Sequence, residues 1–370
     1  MGANFEPNNG EAIFIAMLDG SDGWRKDVRD RLVAKGLPTK RDEAWKWSDL
    51  RRAARDITKR GSTQLRAEMA PQWADLKRET GDEFSAGALA QAAAHQTAFF
   101  RHHLGGTYNI ELGASVGASV ASVVISLPRA LEYTILEHYR AADGALAIAN
   151  VDYEVGPGAK VNRVVLFDDA PQAGWVLSSN VSLAPGASFT QTSLTFGAKF
   201  LRQETRLSHP GQGATATLNG AYLVGAGGHA DMTSIVNMQG EGGELDQLTK
   251  GIVHSGGRAV FQGKIHVDQA AQKTAANMTH RGMIIDDRSE IDSKPELEIY
   301  ADDVECSHGN AIGTLDEMAL FYMQQRGLPE ADARRLLVES FLDETLSAVK
   351  DEKTRDSLSG RIAAKLKGLV

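Results

Sequence analysis

Thiols are almost missing from this chain: Cys306 is the single cysteine in 370 residues. One thiol excludes an intrachain disulfide and any metal cage built only from thiolates of one chain. A basic surplus is missing too. Lys and Arg number 40 against 48 Asp and Glu, a formal net charge of −8. That argues against a general nucleic-acid binder, whose surface is normally basic. No stretch approaches the roughly 20 apolar residues that a membrane span needs. The early apolar run Ile13 to Leu18 has Glu11 ahead of it and no basic leader, so it does not read as a secretory signal. These absences predict a soluble, cytoplasmic protein with neither nucleic acid nor membrane as partner. Wholesale disorder is excluded by an apolar fraction of 42%, enough to bury a core.

What is present falls into three stretches. Residues 1–105 hold four of the five tryptophans (Trp24, Trp45, Trp47, Trp73) and much Ala, Arg and Lys. Trp24–Lys35 and Ser85–Phe100 have helical spacing and few β-branched residues, which predicts an N-terminal helical domain. Trp45 and Trp47 read as packing anchors.

From residue 106 to 312 the texture changes. Gly is frequent, and apolar residues alternate with polar ones, as in Phe261–Asp268 and in Met232, Ser234, Val236 and Met238. The stretch also repeats. Gly158-Ala159, Gly186-Ala187 and Gly213-Ala214 each open a run of alternating residues, 28 and then 27 positions apart. A fixed period with a turn signal marks a β-solenoid, whose coils stack on one another. An antiparallel sandwich is the competing architecture, since it too separates short strands with turns.

Residues 313–370 return to helical spacing. Thr314 and Glu317 fit a capping box ahead of Leu315, Met318 and Tyr322, and Gly327 supplies the stop. A second helix follows Pro329, with the stripe Ala333, Leu336, Leu337, Ser340 and Phe341, and a third carries Leu358, Ile362 and Leu366.

Few motifs carry chemistry. Gly211–Ala216 fits the loose dinucleotide pattern, yet Ala214–Val224 alternates like a strand where a helix is required. Gly225–His229 lacks the Lys and Ser/Thr of a phosphate loop. Asp286-Asp287 and Asp302-Asp303 are adjacent pairs, and neighbours on a strand point to opposite faces, so neither is a ready acid–base dyad. Cys306-Ser307-His308 remains. If the strand Leu297–Ala301 resumes after Asp302-Asp303, then Val304, Cys306 and His308 share a face, and a thiol beside an imidazole suits iron or another soft metal. The carboxylates of Asp302, Asp303 and Glu305 would raise the thiol's pKa, whereas a metal or a protonated His308 would lower it.

The run Asp286–Gly309, containing Pro295-Glu296-Leu297-Glu298-Ile299, Asp302-Asp303-Val304 and Cys306-Ser307-His308-Gly309, resembles the SufD family of iron–sulfur cluster assembly proteins. Leu320–Gly327 is similar to that family's tail, and Arg41–Trp47 to a patch near its start. The likeness touches all three stretches. It implies a right-handed parallel β-helix flanked by N-terminal and C-terminal helical domains. It also implies a non-catalytic scaffold that pairs with a SufB-like paralogue, or with a second copy of itself, and docks a SufC-like ATPase through its C-terminal helices. SufB-like chains carry a cysteine where this chain has His280, which favours the SufD branch.

Iron–sulfur clusters take four ligands, mostly thiolates, and this chain has one thiol. The resemblance therefore implies no cluster stably bound by the chain alone, but a transient iron–sulfur cluster shared with the partner. Within it, His308 is the expected ligand, Cys306 the neighbouring thiol and His280 a further candidate. Phe321, Tyr322 and Arg326 in the family-like tail are the expected ATPase contacts. A solenoid polysaccharide lyase or hydrolase, and a purely structural oligomerisation module, are the alternative readings.

Overall fold

The computed structural model describes residues 6–75, 85–94, 96–168 and 170–366. Parts of the expected helical domains (1–5, 76–84, residue 95 and 367–370) lie outside the described residues, as does residue 169. The helices are α1 (Asn9–Ala16), α2 (Gly23–Lys35), α3 (Leu50–Ala54), α4 (Ala86–Ala93), α5 (Glu317–Gln325), α6 (Glu330–Asp343) and α7 (Glu352–Leu366). The strands begin with β1 (Thr63–Ala67), β2 (Gln72–Ala74), β3 (Thr97–Arg101), β4 (Gly106–Ala114), β5 (Gly117–Leu127) and β6 (Glu132–Ala141). They continue with β7 (Ala145–Val155), β8 (Lys160–Phe167), β9 (Gly174–Leu183), β10 (Ser188–Thr195), β11 (Phe200–His209) and β12 (Thr215–Val224). The last six are β13 (His229–Met238), β14 (Glu244–Val253), β15 (Arg258–Val267), β16 (Ala275–Ile284), β17 (Glu290–Ile299) and β18 (Glu305–Gly313).

The strands form two nine-stranded sheets, in the orders β1-β4-β6-β8-β10-β12-β14-β16-β18 and β17-β15-β13-β11-β9-β7-β5-β3-β2. From β4 to β18 the chain alternates between the sheets, and each strand lies parallel to the one two before it, giving a parallel β-solenoid of about eight turns. This decides against the sandwich. The Gly-Ala repeat sits at one corner of successive coils: Gly158, Gly186 and Gly213 have φ of 67°, 66° and 71°. A left-handed residue is cheapest as Gly, and the alanine after each is buried. The strands that follow stack in register, Lys160 on Ser188 on Thr215.

The inward faces fill the lumen. Tyr139 stacks on Phe167 at 4.9 Å, with Trp175 edge-on at 5.4 Å. The lumen also holds charge. Arg163, fully buried, donates to both oxygens of Glu137, to Gln191 Oε1 and to Ser179 Oγ, each at 2.8 Å, and Tyr139 and Tyr153 donate to the same carboxylate. Burial of an ion pair is tolerated when its remaining hydrogen bonds are made, as here.

The helical stretches coat opposite outer faces. On the second sheet α4 lies against β7 and β9, so close that a Cβ at Gly87 would meet Ser178 Oγ at 2.6 Å. There Arg202 packs under Trp45 at 4.2 Å, and Ser48 Oγ donates to Asp231. On the first sheet Val164, Leu194, Leu223 and Ile252 pack with Val338, Leu342 and Ile362 of the C-terminal helices.

Four local expectations are corrected. Ser85–Phe100 is not one helix: α4 ends at Ala93, and Thr97–Arg101 is β3, pairing with β5. The stretch before residue 106 also supplies β1 and β2, which pair antiparallel with β4 and β3 and are the outermost strands at that end of the solenoid. Asp316, not Thr314, caps α5, because its carboxylate accepts from both Met318 N–H and Ala319 N–H. The buried stripe of α6 runs through Ala333, Val338 and Leu342, leaving Leu336 and Ser340 exposed, since the helix tucks a different edge onto the sheet.

Candidate functional site

The two ends of the solenoid differ. At the first, the outermost strands β1 and β2 run antiparallel to their neighbours β4 and β3. At the other, the terminal strands β17 and β18 run parallel to β15 and β16 and have no outer neighbour among the described residues. Edge strands are normally blunted by charge or proline. β17 carries both, with Pro295 and an outward row of Glu, Asp and Lys. β18 is different: after Glu305 it reads Cys-Ser-His-Gly-Asn-Ala-Ile-Gly, with no charge and no proline.

Cys306 and His308 lie on β18. The strand Glu290–Ile299 does not resume after Asp302-Asp303. The chain turns a corner there, held by the Asp303 N–H donating to Gln272 Oε1 at 2.9 Å, and crosses to the other sheet. The expected common face survives because it is a property of β18 itself, with Val304 just ahead of the strand. Register places Cys306 over Ala276, His308 over Met278 and Asn310 over His280. Ala276, Met278 and His280 are lumen residues, so this face of β18 is the lumen's continuation, left uncovered by any further coil. His308 is exposed; Cys306 is half-buried against the core. Burial pushes the Cys306 thiol pKa up, opposed by a backbone hydrogen bond from Ala276. The rise therefore comes from burial rather than from Asp302, Asp303 or Glu305.

His280 sits one coil deeper, with no solvent exposure. Its ring stacks on Phe261 at 4.6 Å, Nδ1 meets Asn310 Oδ1 at 2.7 Å, and Nε2 meets the Tyr222 hydroxyl at 2.9 Å. Burial lowers its pKa to about 4, so it is neutral. Nδ1 then carries the proton that Asn310 accepts, and Nε2 accepts from Tyr222. Neither nitrogen has a lone pair free for a metal. Tyr222 reaches across Gly251, where a Cβ would fall 1.9 Å from the ring. Among the described residues no group of three or more His, Cys, Asp or Glu is placed to hold a metal ion.

The second candidate surface is on α5. Met318, Phe321 and Tyr322 follow i, i+3, i+4 spacing and are 76%, 56% and 59% exposed. Arg326 donates to the Tyr322 hydroxyl at 2.8 Å and lies over its ring at 5.1 Å. The three expected contacts thus form one patch, to which Met318 is added.

Sequence reasoning missed Asn310, Ser293 and Tyr222. Asn310 was within reach, since the two-residue spacing of Cys306 and His308 extends to it. The others depend on coil stacking. A further pattern, Gly113-Ala114-Ser115-Val116-Gly117, matches the Gly-x-Ser-x-Gly elbow. It joins two strands rather than a strand and a helix, and Ser115 Oγ accepts from the Ser62 N–H at 2.9 Å. Likewise Gly211–Ala216 and Gly225–His229 are turns that run into the strands β12 and β13. Among the described residues no helix is long and apolar enough to cross a membrane.

Comparison with known proteins accords with this geometry. Residues 110–341 match the model of the SUF system FeS cluster assembly SufBD core domain. The chain is 29% identical over 274 residues to the iron–sulfur cluster assembly protein SufD of Escherichia coli, which covers 74% of this chain and 60% of that protein. It is 32% identical over 209 residues to a SufBD family iron–sulfur cluster assembly protein of Synechocystis, covering 56% of this chain and 45% of that one. The chain thus spans about half of the length of the curated relatives it matches. With the core-domain match extending over most of the solenoid and into α6, the chain belongs to the SufBD family of iron–sulfur cluster assembly proteins, as a homologue of SufD.

Proposed function

We propose that this chain is a non-catalytic scaffold subunit of a cytoplasmic iron–sulfur assembly complex. The observation that carries the reading is the uncapped last coil, which leaves His308 and Cys306 on one face of a strand whose outer edge is unpaired among the described residues, at the mouth of the lumen. One imidazole and one thiol are half a cluster's ligands at most. A SufB-like paralogue docking on β18 supplies the remainder, so the cluster is shared, transient and lost when the partners part. His308 is the exposed ligand. Cys306, its thiol held protonated by burial, becomes a ligand only when iron displaces the proton. In the absence of the paralogue the same edge accepts a second copy of this chain.

The α5 patch is the site for a SufC-like ATPase. An exposed aromatic pair with an arginine is the composition typical of protein–protein hot spots. Nucleotide-driven pairing of two ATPase subunits would draw the two C-terminal helical units together and shear the solenoid interface, opening the His308 face to iron and sulfide. Such coupling needs an interface with two arrangements, biased by nucleotide.

The test is anaerobic iron and sulfide reconstitution of the chain co-purified with its paralogue and ATPase. His308→Ala should reduce bound acid-labile sulfide by at least about tenfold while the complex still assembles. Undiminished sulfide in the variant, or a full complement of iron on the chain alone, overturns the reading.

A further inference from the structure

The mouth of the lumen offers hydrogen-bond donors that nothing accepts. Asn310 receives the His280 Nδ1–H on its Oδ1 at 2.7 Å. With its oxygen engaged from the coil below, the two N–H groups of its carboxamide are left over, and they meet no acceptor among the described residues. Ser293 is the second case. Its hydroxyl oxygen is buried, again without a partner among the described residues.

These two residues face each other. Ser293 lies in register over Phe261, and Asn310 over His280. Phe261 and His280 stack across the lumen at 4.6 Å with 3° between their planes. One coil outward, the residues above them therefore stand on opposite walls of the same opening, beside His308. No inward residue of β17 or β18 is acidic. The floor is Met278 and Phe261, both apolar and buried. Donors above a polarizable, apolar floor suit a large, weakly hydrated anion better than a carboxylate, and hydrogen bonds to the charged form stabilise it.

We propose that His280 is a positioning residue: it holds Asn310 so that its N–H groups, with the Ser293 hydroxyl, form a donor socket for anionic sulfur. The sulfur is hydrosulfide or the cysteine thiolate of a second chain. The proposal rests on the reading of the open end as a cluster-building interface and names what that interface grips besides iron. Tyr222, donating to Nε2, fixes the tautomer, and Gly251 leaves the room for its ring to do so.

The experiment needs no partner, so its failure is distinct from failure of the assembly reading. The full chain, with 15N-labelled Asn side chains, is titrated anaerobically with sodium hydrosulfide, with N-acetylcysteine amide and with sodium acetate. The Asn310 carboxamide signals, assigned by their loss in Asn310→Ala, are expected to shift with one or both sulfur probes and not with acetate. A response to hydrosulfide alone identifies inorganic sulfide as the occupant; a response to the amide as well admits a partner's thiolate. His280→Gln keeps a polar atom near Tyr222 but loses the Nδ1 donor, and should weaken the response about tenfold. His280→Asn restores a donor at the Nδ1 position and should stay near wild type, and Ser293→Ala should weaken binding without disturbing the buried stack. Equal shifts with acetate, no shift with either sulfur probe, or a His280→Gln response matching wild type overturns the proposal. If His280→Gln fails to fold, the His280→Asn and Ser293→Ala arms decide it.

Discussion

Histidines shielded from water make the stability of this protein sensitive to acid. Burial holds both His280 and His229 neutral, with pKa values of about 4 against an ordinary 6.5. As pH falls below 6.5 the unfolded chain takes up these protons first. Stability is therefore full above the ordinary value, declines as pH drops toward 4, and levels off below it. Each histidine contributes up to about 3 kcal/mol to the decline. Urea unfolding midpoints measured from pH 7.5 to 5, where most carboxylates are still ionised, should fall steadily; a flat profile would contradict the burial assigned to these rings. The raised Cys306 pKa has the opposite kind of consequence, since a protonated thiol is a poor nucleophile at neutral pH. Cys306 is thus poorly suited to attacking a persulfide unaided. Cys306 and His308 were legible in the sequence because period two along one strand is a local rule. The partners of His280 were not: Asn310 is 30 residues away and Tyr222 is 58 residues away, brought near only by the stacking of coils.

At the level of elements, the corners were more legible than the strands they join. The Gly-Ala repeat is a direct trace of a left-handed turn residue followed by a buried alanine, and it recurs because each coil repeats the same bend. β3 escaped because five residues after an Ala-rich helix carry too little alternation to announce a strand. The cap of α5 shifted by two positions, from Thr314 to Asp316, because a carboxylate at a helix N-terminus satisfies two N–H groups and meets the helix dipole at once. The outer face of α5 has no structural duty: Phe321 and Tyr322 are more than half exposed. Phe321→Ala with Tyr322→Ala should leave the melting temperature within about 2 °C, since surface truncations cost little. If α5 docks a SufC-like ATPase as proposed, the same pair should weaken capture of that ATPase by at least about 30-fold. Calorimetry and a binding isotherm check the two halves, and unchanged affinity would move the docking site elsewhere.

For the whole molecule, the solenoid's two ends set its behaviour. Ile312 stands 40% exposed on the inward row of β18, where a docking chain would cover it. Ile312→Lys replaces that apolar side chain with an ammonium in the joint. Sedimentation velocity should show the pairing, with the paralogue or with itself, weakened at least about tenfold, while the isolated fold is unaffected. Persistence of the pair would mean that the chains meet on another surface.

The antiparallel strands at the first end have a consequence for how copies can come together. There the outermost strands run against the grain of the coils, whereas at the far tip they run with it, so the two tips offer unlike backbone edges to a newcomer. A joint that forms on one tip is therefore not the joint that the other could form.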